Sequence, residues 1–264
     1  MIGLGSYAYF WRHSARVDAP LTLAEEFEDA RRLGVGLFQI CDDARLERMG
    51  DAELRDAATA ARENAMTIEL GTKGVAPERL DRFLRLADAF DARLVRSMVY
   101  GPGSRPSLGE AAGWLEQSVR MYEAAGVELA LETYEQLPTS DLVGLVERVG
   151  SDALGICLDP ANVVARLEQP SECIRKSAPH VKNVHAKDFA FARQDGWVGF
   201  TYSGAPMGTG LHDYPALLEA VRPRERGANE IVEHWLPWQG DAATTITAER
   251  DWTRTALDYL RSTP

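Results

Sequence analysis

The sequence predicts an α/β protein, a single-domain (β/α)₈ TIM barrel that spans residues 1–264. The chain has 264 residues, close to the ~250 typical of such a barrel. Short apolar runs alternate with amphipathic stretches, which is the pattern of repeated βα units. No low-complexity linker or shift in composition divides the chain, so we expect one domain.

Eight short apolar runs are bounded by turn residues and are predicted to be buried parallel strands. In chain order they are Ile2–Tyr9, Gly36–Cys41, Met66–Gly71, Leu94–Val99, Val127–Glu132, Ala153–Asp159, Val181–Lys187 and Glu230–Trp235. Since eight parallel strands close a barrel of this type, the set is sufficient to complete one.

The stretches between these strands have the apolar periodicity of helices. The predicted helices are Leu23–Leu33, Asp51–Asn64, Pro77–Phe90, Leu108–Ala125, Ser140–Val149 and Tyr214–Val221, with a last helix near Thr247–Leu260 that closes the ring. Pro77 and Glu78 have the chemistry expected of a first helical turn. Gly34 and Gly126 follow helix ends, where glycine adopts the left-handed cap conformation at low cost.

One connection is unusually long. From Asp188 to His212 the chain runs for about two dozen residues, whereas the βα loops of such units usually have about 2–6. The segment is rich in glycine and contains the aromatic residues Phe189, Phe191, Trp197, Phe200 and Tyr202. We predict that it forms a lid or a wall of the substrate pocket on the catalytic face.

Composition excludes some classes of partner. The chain has 29 Lys and Arg against 40 Asp and Glu, a net charge of −11, and a surface of that sign repels nucleic acid. Cys41, Cys157 and Cys173 lack C-x-x-C spacing, which favours free thiols in a reducing compartment. Met1–Arg16 lacks the pattern of a signal peptide, and no apolar run approaches the length of a membrane span. We therefore expect a cytoplasmic protein without membrane or nucleic-acid partners.

Four of the predicted strands end in, or near, a side chain that can bind a metal ion. These side chains are Glu132, Asp159, His185 and Glu233. Functional groups of a (β/α)₈ barrel lie at the C-terminal ends of the strands, so all four are expected to converge on one mouth. Three carboxylates and one imidazole suit a divalent cation that prefers oxygen ligands.

Five segments together resemble a known family. They are LALETYE at Leu129–Glu135, ICLDPAN at Ile156–Asn162, NVHAKD at Asn183–Asp188, GTGLHDY at Gly208–Tyr214 and VEHW at Val232–Trp235. In this order they resemble the xylose-isomerase-like barrel superfamily of sugar isomerases and epimerases, over essentially the whole chain. The resemblance implies that Glu132, Asp159, His185 and Glu233 bind one Mn²⁺, Mg²⁺ or Co²⁺ ion.

The resemblance also implies a reaction. It indicates a divalent-metal-dependent isomerase or epimerase that acts on a sugar or a sugar-derived keto-acid through a metal-bound enediolate. It assigns Glu132 and Glu233 as a catalytic acid/base pair, in which one removes the proton beside the carbonyl and the other returns it. Return of the proton to the opposite face of the same carbon gives epimerisation, and its return to the neighbouring carbon gives isomerisation.

Five further residues are candidates for substrate binding, and each has a structural alternative. Lys187 orients substrate or forms an ion pair, and Tyr7 stacks on a sugar or packs in the core. Asn162 stands where many family members carry a histidine that contacts substrate, which leaves the substrate preference open. Glu69, near a strand end, faces the pocket or the core. Arg193 lies on the long connection, where it contacts substrate or solvent.

The sequence leaves two other reactions and a binding role as alternatives. A metal-dependent lyase is the first alternative, because the same enediolate arises by decarboxylation or by cleavage of a 3-keto sugar acid or glycoside. Ile68–Gly74 and Val232–Trp238 are similar to segments of family members that act on oxidised sugar acids, such as 3-oxo-isoapionate decarboxylase. The chain has only five histidines and a net charge of −11, and both argue against an AP-endonuclease-like activity. A non-catalytic binding barrel is the last alternative, and homo-oligomer and monomer both stay open.

Overall fold

The computed structural model describes residues 1–194, 196 and 198–263, and its centre is a closed barrel of eight parallel strands. The barrel strands are β1 Ile2–Gly5, β2 Leu37–Cys41, β3 Thr67–Gly71, β4 Leu94–Ser97, β5 Glu128–Glu132, β6 Leu154–Leu158, β7 Val181–Ala186 and β10 Asn229–Val232. Neighbouring strands follow chain order, and β10 closes the ring by pairing with both β7 and β1. The predicted (β/α)₈ architecture is confirmed.

Helices cover the outside of the barrel. They are α1 Leu23–Arg32, α2 Ala44–Arg48, α3 Asp51–Glu63, α4 Pro77–Phe90, α5 Leu108–Ala125, α6 Thr139–Val149, α7 Pro170–Ser177, α8 Tyr214–Val221, α9 Pro223–Arg226 and α10 Ala242–Ser262. The last helix begins earlier than predicted because the Asp241 side chain caps it by accepting from the Thr244 amide. Within the described part of the chain, no helix has the length and apolarity needed to cross a bilayer.

The first and last barrel strands are shorter than predicted. The predicted strand Ile2–Tyr9 ends at Gly5, and Ser6–Ala8 form a short 3₁₀ helix. Tyr9 continues the apolar run because it is buried in the core, which an apolar pattern alone does not distinguish from a strand. The predicted strand Glu230–Trp235 corresponds to β10, which ends at Val232, so Glu233 lies immediately beyond the barrel.

The long connection after β7 is a hairpin rather than an irregular loop. Its antiparallel strands are β8 Asp188–Arg193 and β9 Phe200–Ala205, and Trp197 lies outside the described residues. The Asp188 carboxylate anchors the base by accepting from backbone amides 2.8–3.0 Å away, those of Phe189, Gly208, Gly210 and His212. The Tyr202 hydroxyl donates to the Ala161 carbonyl at 2.7 Å. These contacts hold the hairpin beside the barrel mouth.

A buried ion pair joins the segment after β1 to α10. The Arg12 Nε donates to Glu249 Oε2 at 3.0 Å, and the two side chains are 3% and 1% exposed. Arg12 also pairs with Asp29 on α1 at 2.7 Å. The Arg12–Glu249 pair connects the first and last parts of the chain across the helical layer.

Replacing Arg12 by Met is expected to lower the free energy of unfolding by about 3–5 kcal/mol, because it leaves the buried charge of Glu249 without its partner. Urea denaturation followed by circular dichroism measures the loss. Arg16→Met is the control, since Arg16 is exposed and lies over the Trp238 ring, and it should leave the urea midpoint nearly unchanged. Equal midpoints for both variants would contradict the role of the pair.

Candidate metal centre

The ends of four strands bring the predicted ligands together. Glu132 is the last residue of β5, Asp159 follows β6, His185 lies in β7 and Glu233 follows β10. The His185 Nδ1 atom lies 3.4 Å from Glu132 Oε1, 3.5 Å from Asp159 Oδ2 and 3.4 Å from Glu233 Oε2. All four side chains are at most 3% exposed. The carboxylates therefore surround one imidazole nitrogen at the barrel mouth.

The orientation of His185 is set from inside the barrel. Its Nε2 lies 2.9 Å from Gln39 Oε1, and Gln39 Nε2 donates to Glu69 Oε2 at 3.0 Å and to Asn183 Oδ1 at 3.3 Å. Because the Gln39 amide group is engaged by these acceptors, its oxygen faces the imidazole and accepts from Nε2–H. The neutral tautomer therefore directs the Nδ1 lone pair at the three carboxylates, as a metal ligand requires.

The charge balance also favours a cation here. Burial lowers the pKa of His185, but nearby Cys157, Glu233 and Glu132 outweigh burial and raise it well above its ordinary value. In the metal-free protein the raised pKa favours the protonated ring, whose positive charge balances the carboxylates. A bound divalent cation would supply that charge in place of the proton.

Four buried atoms of the predicted ligands lack a hydrogen-bond partner among the described residues: Glu132 Oε2, Asp159 Oδ2, His185 Nδ1 and Glu233 Oε1. Glu132 Oε2 and Asp159 Oδ2 have ion-pair partners, Arg96 and Lys187, whereas no lysine or arginine among the described residues pairs with His185 Nδ1 or Glu233 Oε1. Leaving a buried polar atom unsatisfied costs about 1–3 kcal/mol. Glu132, Asp159 and His185 also bring one ligand atom each to within 4.8 Å of one another. The residues present fit a divalent cation held by oxygen and nitrogen ligands.

Lys187 is a buried cation beside the ligands. Its Nζ lies 2.7 Å from Asp159 Oδ2, 3.0 Å from Glu233 Oε2 and 4.5 Å from the centre of the Trp235 ring. Burial lowers the pKa of Lys187, but Asp159 and Glu233 outweigh burial and raise it well above its ordinary value. The ammonium group is therefore charged at the mouth.

Arg96 is a second buried cation, which the sequence analysis did not identify. It lies in β4, where one terminal nitrogen pairs with Glu132 Oε2 and the other donates to Asp42 and to the Thr72 carbonyl. Arginine is rarely buried without a partner. The sequence signal for Arg96 was a charged residue in the middle of the apolar run Leu94–Val99.

The other predicted substrate-binding residues lie at different distances from the barrel mouth. Asn162 is next to the ligands, since its Nδ2 donates to Glu132 Oε1 at 2.7 Å. Tyr7 is at the rim, where its hydroxyl donates to Asp42 at 3.2 Å. Glu69 lies inside the barrel and accepts from Gln39, Asn183 and Asn229. It therefore supports Gln39 rather than facing the mouth.

Arg193 lies apart from this group. It is exposed at the end of β8 opposite the Asp188 anchor, and its guanidinium carbon is 4.5 Å from the centre of the Phe200 ring. The structure thus places Lys187 and Asn162 beside the ligands and Arg193 on the hairpin. A role in substrate binding stays a prediction for each of them.

Comparison with known proteins agrees with the predicted resemblance. The family described as Xylose isomerase-like TIM barrel matches residues 27–263. A 3-oxo-isoapionate decarboxylase from Pectobacterium atrosepticum is 49% identical over 259 residues, which cover 98% of this chain and 94% of that protein. The alignment to this relative is therefore nearly end to end.

Solved structures share the fold at low identity. A D-psicose 3-epimerase crystallised with D-fructose has a TM-score of 0.74 at 15% identity, covering 99% of this chain and 98% of that one. The IOLI protein with a bound zinc atom has a TM-score of 0.72 at 17% identity, covering 98% of both chains. The family match and the full-length relative confirm the predicted resemblance, and the chain belongs to the xylose isomerase-like TIM barrel family.

Proposed function

We propose that this protein is a metal-dependent decarboxylase that acts on a 3-oxo sugar acid. The observation that carries the proposal is the unequal setting of the two glutamates at the mouth, Glu132 and Glu233. The 49% identity to a 3-oxo-isoapionate decarboxylase over 98% of the chain supports the same reaction. The four-ligand set and Mn²⁺, Mg²⁺ or Co²⁺ as its ion are part of this proposal.

Each carboxylate oxygen of Glu132 faces a partner. Oε2 forms an ion pair with Arg96, and Oε1 accepts from Asn162 Nδ2 at 2.7 Å. Burial raises the pKa of Glu132, but Arg96 and His185 outweigh burial and lower it. Glu132 is therefore suited to hold a negative charge in place and is poorly suited to exchange a proton with a substrate carbon.

Glu233 differs from Glu132 at one atom. Its Oε2 accepts from Lys187 at 3.0 Å, whereas its Oε1 is buried and has no hydrogen-bond partner among the residues described. One glutamate is thus free to transfer a proton. Reactions that need two proton-transferring carboxylates on one carbon centre fit this arrangement less well than a reaction that needs one.

Decarboxylation of a 3-oxo acid needs a single proton transfer at carbon. The bond between the carboxylate and its neighbouring carbon breaks, carbon dioxide leaves, and the electron pair moves toward the carbonyl one carbon away. The carbon then takes one proton in place of the carboxylate. Water supplies this proton through an acid on the protein, so atoms and charge balance without an oxidant or a reductant.

Each of these residues has a separate role in the proposed reaction. Glu132, Asp159, His185 and Glu233 would hold the cation, which when bound draws electron density from the substrate carbonyl. Lys187 orients the anionic substrate through its charged ammonium group. Glu233, protonated at Oε1, donates that proton to the carbon and then takes another from water. The Trp235 ring packs against Lys187, and the hairpin residue Tyr202 packs against Trp235.

The test uses a 3-oxo sugar acid with ¹³C in its carboxylate, incubated with the Mg²⁺-loaded protein in D₂O. We expect ¹³C bicarbonate in the NMR spectrum and one deuterium at the carbon that lost the carboxylate. Protein treated with EDTA should give neither signal, and Mg²⁺ should restore both. This result would support both the reaction and its dependence on a metal ion.

Isomerisation or epimerisation, the first prediction from the sequence, has a different signature in the same experiment. It would give a product of the same carbon count, with deuterium beside the carbonyl and no bicarbonate. That outcome would overturn the decarboxylase proposal and replace it with the isomerase or epimerase. Unchanged substrate would overturn the choice of a 3-oxo sugar acid as the substrate class.

A further inference from the structure

Asp42 has a strained backbone beside the candidate metal centre. It follows β2 with a φ of 52°, a left-handed conformation that is uncommon for residues other than glycine. Its carboxylate meets three donors: the Tyr7 hydroxyl at 3.2 Å, Arg96 Nη1 at 3.2 Å and Lys73 Nζ at 3.3 Å. Backbone strain of this kind persists where the surrounding contacts demand it, and it clusters at functional sites.

Arg96 extends from Asp42 to Glu132. Nη1 contacts both carboxylate oxygens of Asp42 at 3.2 and 3.3 Å and donates to the Thr72 carbonyl at 2.9 Å, and Nη2 pairs with Glu132. The side chain is 2% exposed. Because the guanidinium group is planar and is held at one end by two acceptors, its other end has little freedom. The position of Glu132 is therefore coupled to that of Asp42.

We propose that Asp42 and Arg96 are positioning residues that fix the carboxylate of Glu132 and thereby reserve proton transfer for Glu233. The pair orients one oxygen of Glu132 toward His185 and occupies the other. The part concerning proton transfer rests on the proposed decarboxylase function, whereas the orientation of Glu132 as a ligand does not.

Two consequences follow from loosening this pair. Glu132 would lose its fixed orientation, and residues that orient metal ligands typically contribute about 10- to 100-fold in metal affinity. Glu132 Oε2 would also become free to accept a proton from the substrate carbon beside the carbonyl. The variant protein would then exchange that hydrogen with solvent in substrate that has not yet reacted.

Two variants loosen the pair in different ways. Arg96→Lys keeps the positive charge but cannot bridge Asp42 and Glu132 with a planar fork. Asp42→Asn keeps the shape of the side chain, and asparagine tolerates the left-handed backbone as well as aspartate does. Lys73→Gln is the matched control, because Lys73 contacts the same carboxylate but is 39% exposed and forms no ion pair with Glu132.

The first measurement is Mn²⁺ affinity by electron paramagnetic resonance titration, with the melting temperature as a check on folding. We expect about tenfold weaker binding for Arg96→Lys and Asp42→Asn, and affinity within about twofold of the parent for Lys73→Gln, which leaves the ligands untouched. Parent-like affinity in the two test variants would overturn the positioning role, whichever reaction the enzyme performs.

The second measurement is deuterium in substrate recovered from D₂O before completion, corrected for exchange without protein. The parent protein should leave recovered substrate unlabelled, while Arg96→Lys should label it beside the carbonyl and lower kcat more than it changes KM. Unlabelled substrate from the variant, with bicarbonate still released, would overturn the proton-transfer part of the inference. If the parent releases no bicarbonate, the proposed function fails, and the Mn²⁺ titration still decides the positioning role.

Discussion

Replacing Glu233 by Gln is expected to lower kcat by about a thousandfold at saturating Mg²⁺, because the amide cannot donate the proton that completes the reaction. The change preserves the size of the side chain, and the amide oxygen can still accept from Lys187, whose Nζ is 3.0 Å away. Steady-state release of bicarbonate gives kcat, and Mg²⁺ dependence shows whether the site is filled. The loss should persist when added metal is raised further.

Glu230→Gln is the matched control for this variant. Glu230 is buried in β10, the strand that Glu233 follows, but it accepts from the Tyr214 hydroxyl and from Arg224, away from the mouth. Its replacement should alter the melting temperature and leave kcat near that of the parent. If Glu233→Gln retained more than about a tenth of the parent kcat, a general-acid role for Glu233 would be untenable.

The sequence was most informative where the signal is local. Buried parallel strands appear as short apolar runs, so all eight barrel strands were predicted with small errors at their ends. The side chain at the end of such a run has a defined place in a barrel. This is why Glu132, Asp159, His185 and Glu233 were expected at one mouth, where the structure brings their side chains together.

The contacts that distinguish the two glutamates are not local. Asp42 and Arg96 are 54 positions apart in the chain, and Gln39 and His185 are 146 apart. No periodicity or motif connects residues at such separations, because only closure of the barrel brings them into contact. The hairpin escaped prediction for a different reason: its length and glycine content outweighed the alternation of Phe189, Ala190 and Phe191 that is typical of a strand.

Replacing Lys187 by Met is expected to have opposite effects on turnover and on metal binding. The Nζ atom lies 2.7 and 3.0 Å from oxygens of two proposed ligands, Asp159 and Glu233, so its charge repels an incoming cation. Without it, Mn²⁺ should bind about tenfold more tightly, a change of about 1.4 kcal/mol. Turnover should fall by about a hundredfold or more because the anionic substrate loses the charge that orients it.

The two effects separate a substrate-orienting lysine from one that only balances charge. In the metal-free protein Lys187→Met leaves buried carboxylates uncompensated, so its melting temperature should fall, and added Mn²⁺ should raise it by more than in the parent. Lys182→Met is the control, since Lys182 lies in β7, the strand that Lys187 follows, and pairs with Glu128 instead. Tighter metal binding with parent-like turnover would reduce Lys187 to a charge-balancing residue. Tighter metal binding with lost turnover would show that the substrate needs the ammonium group of Lys187.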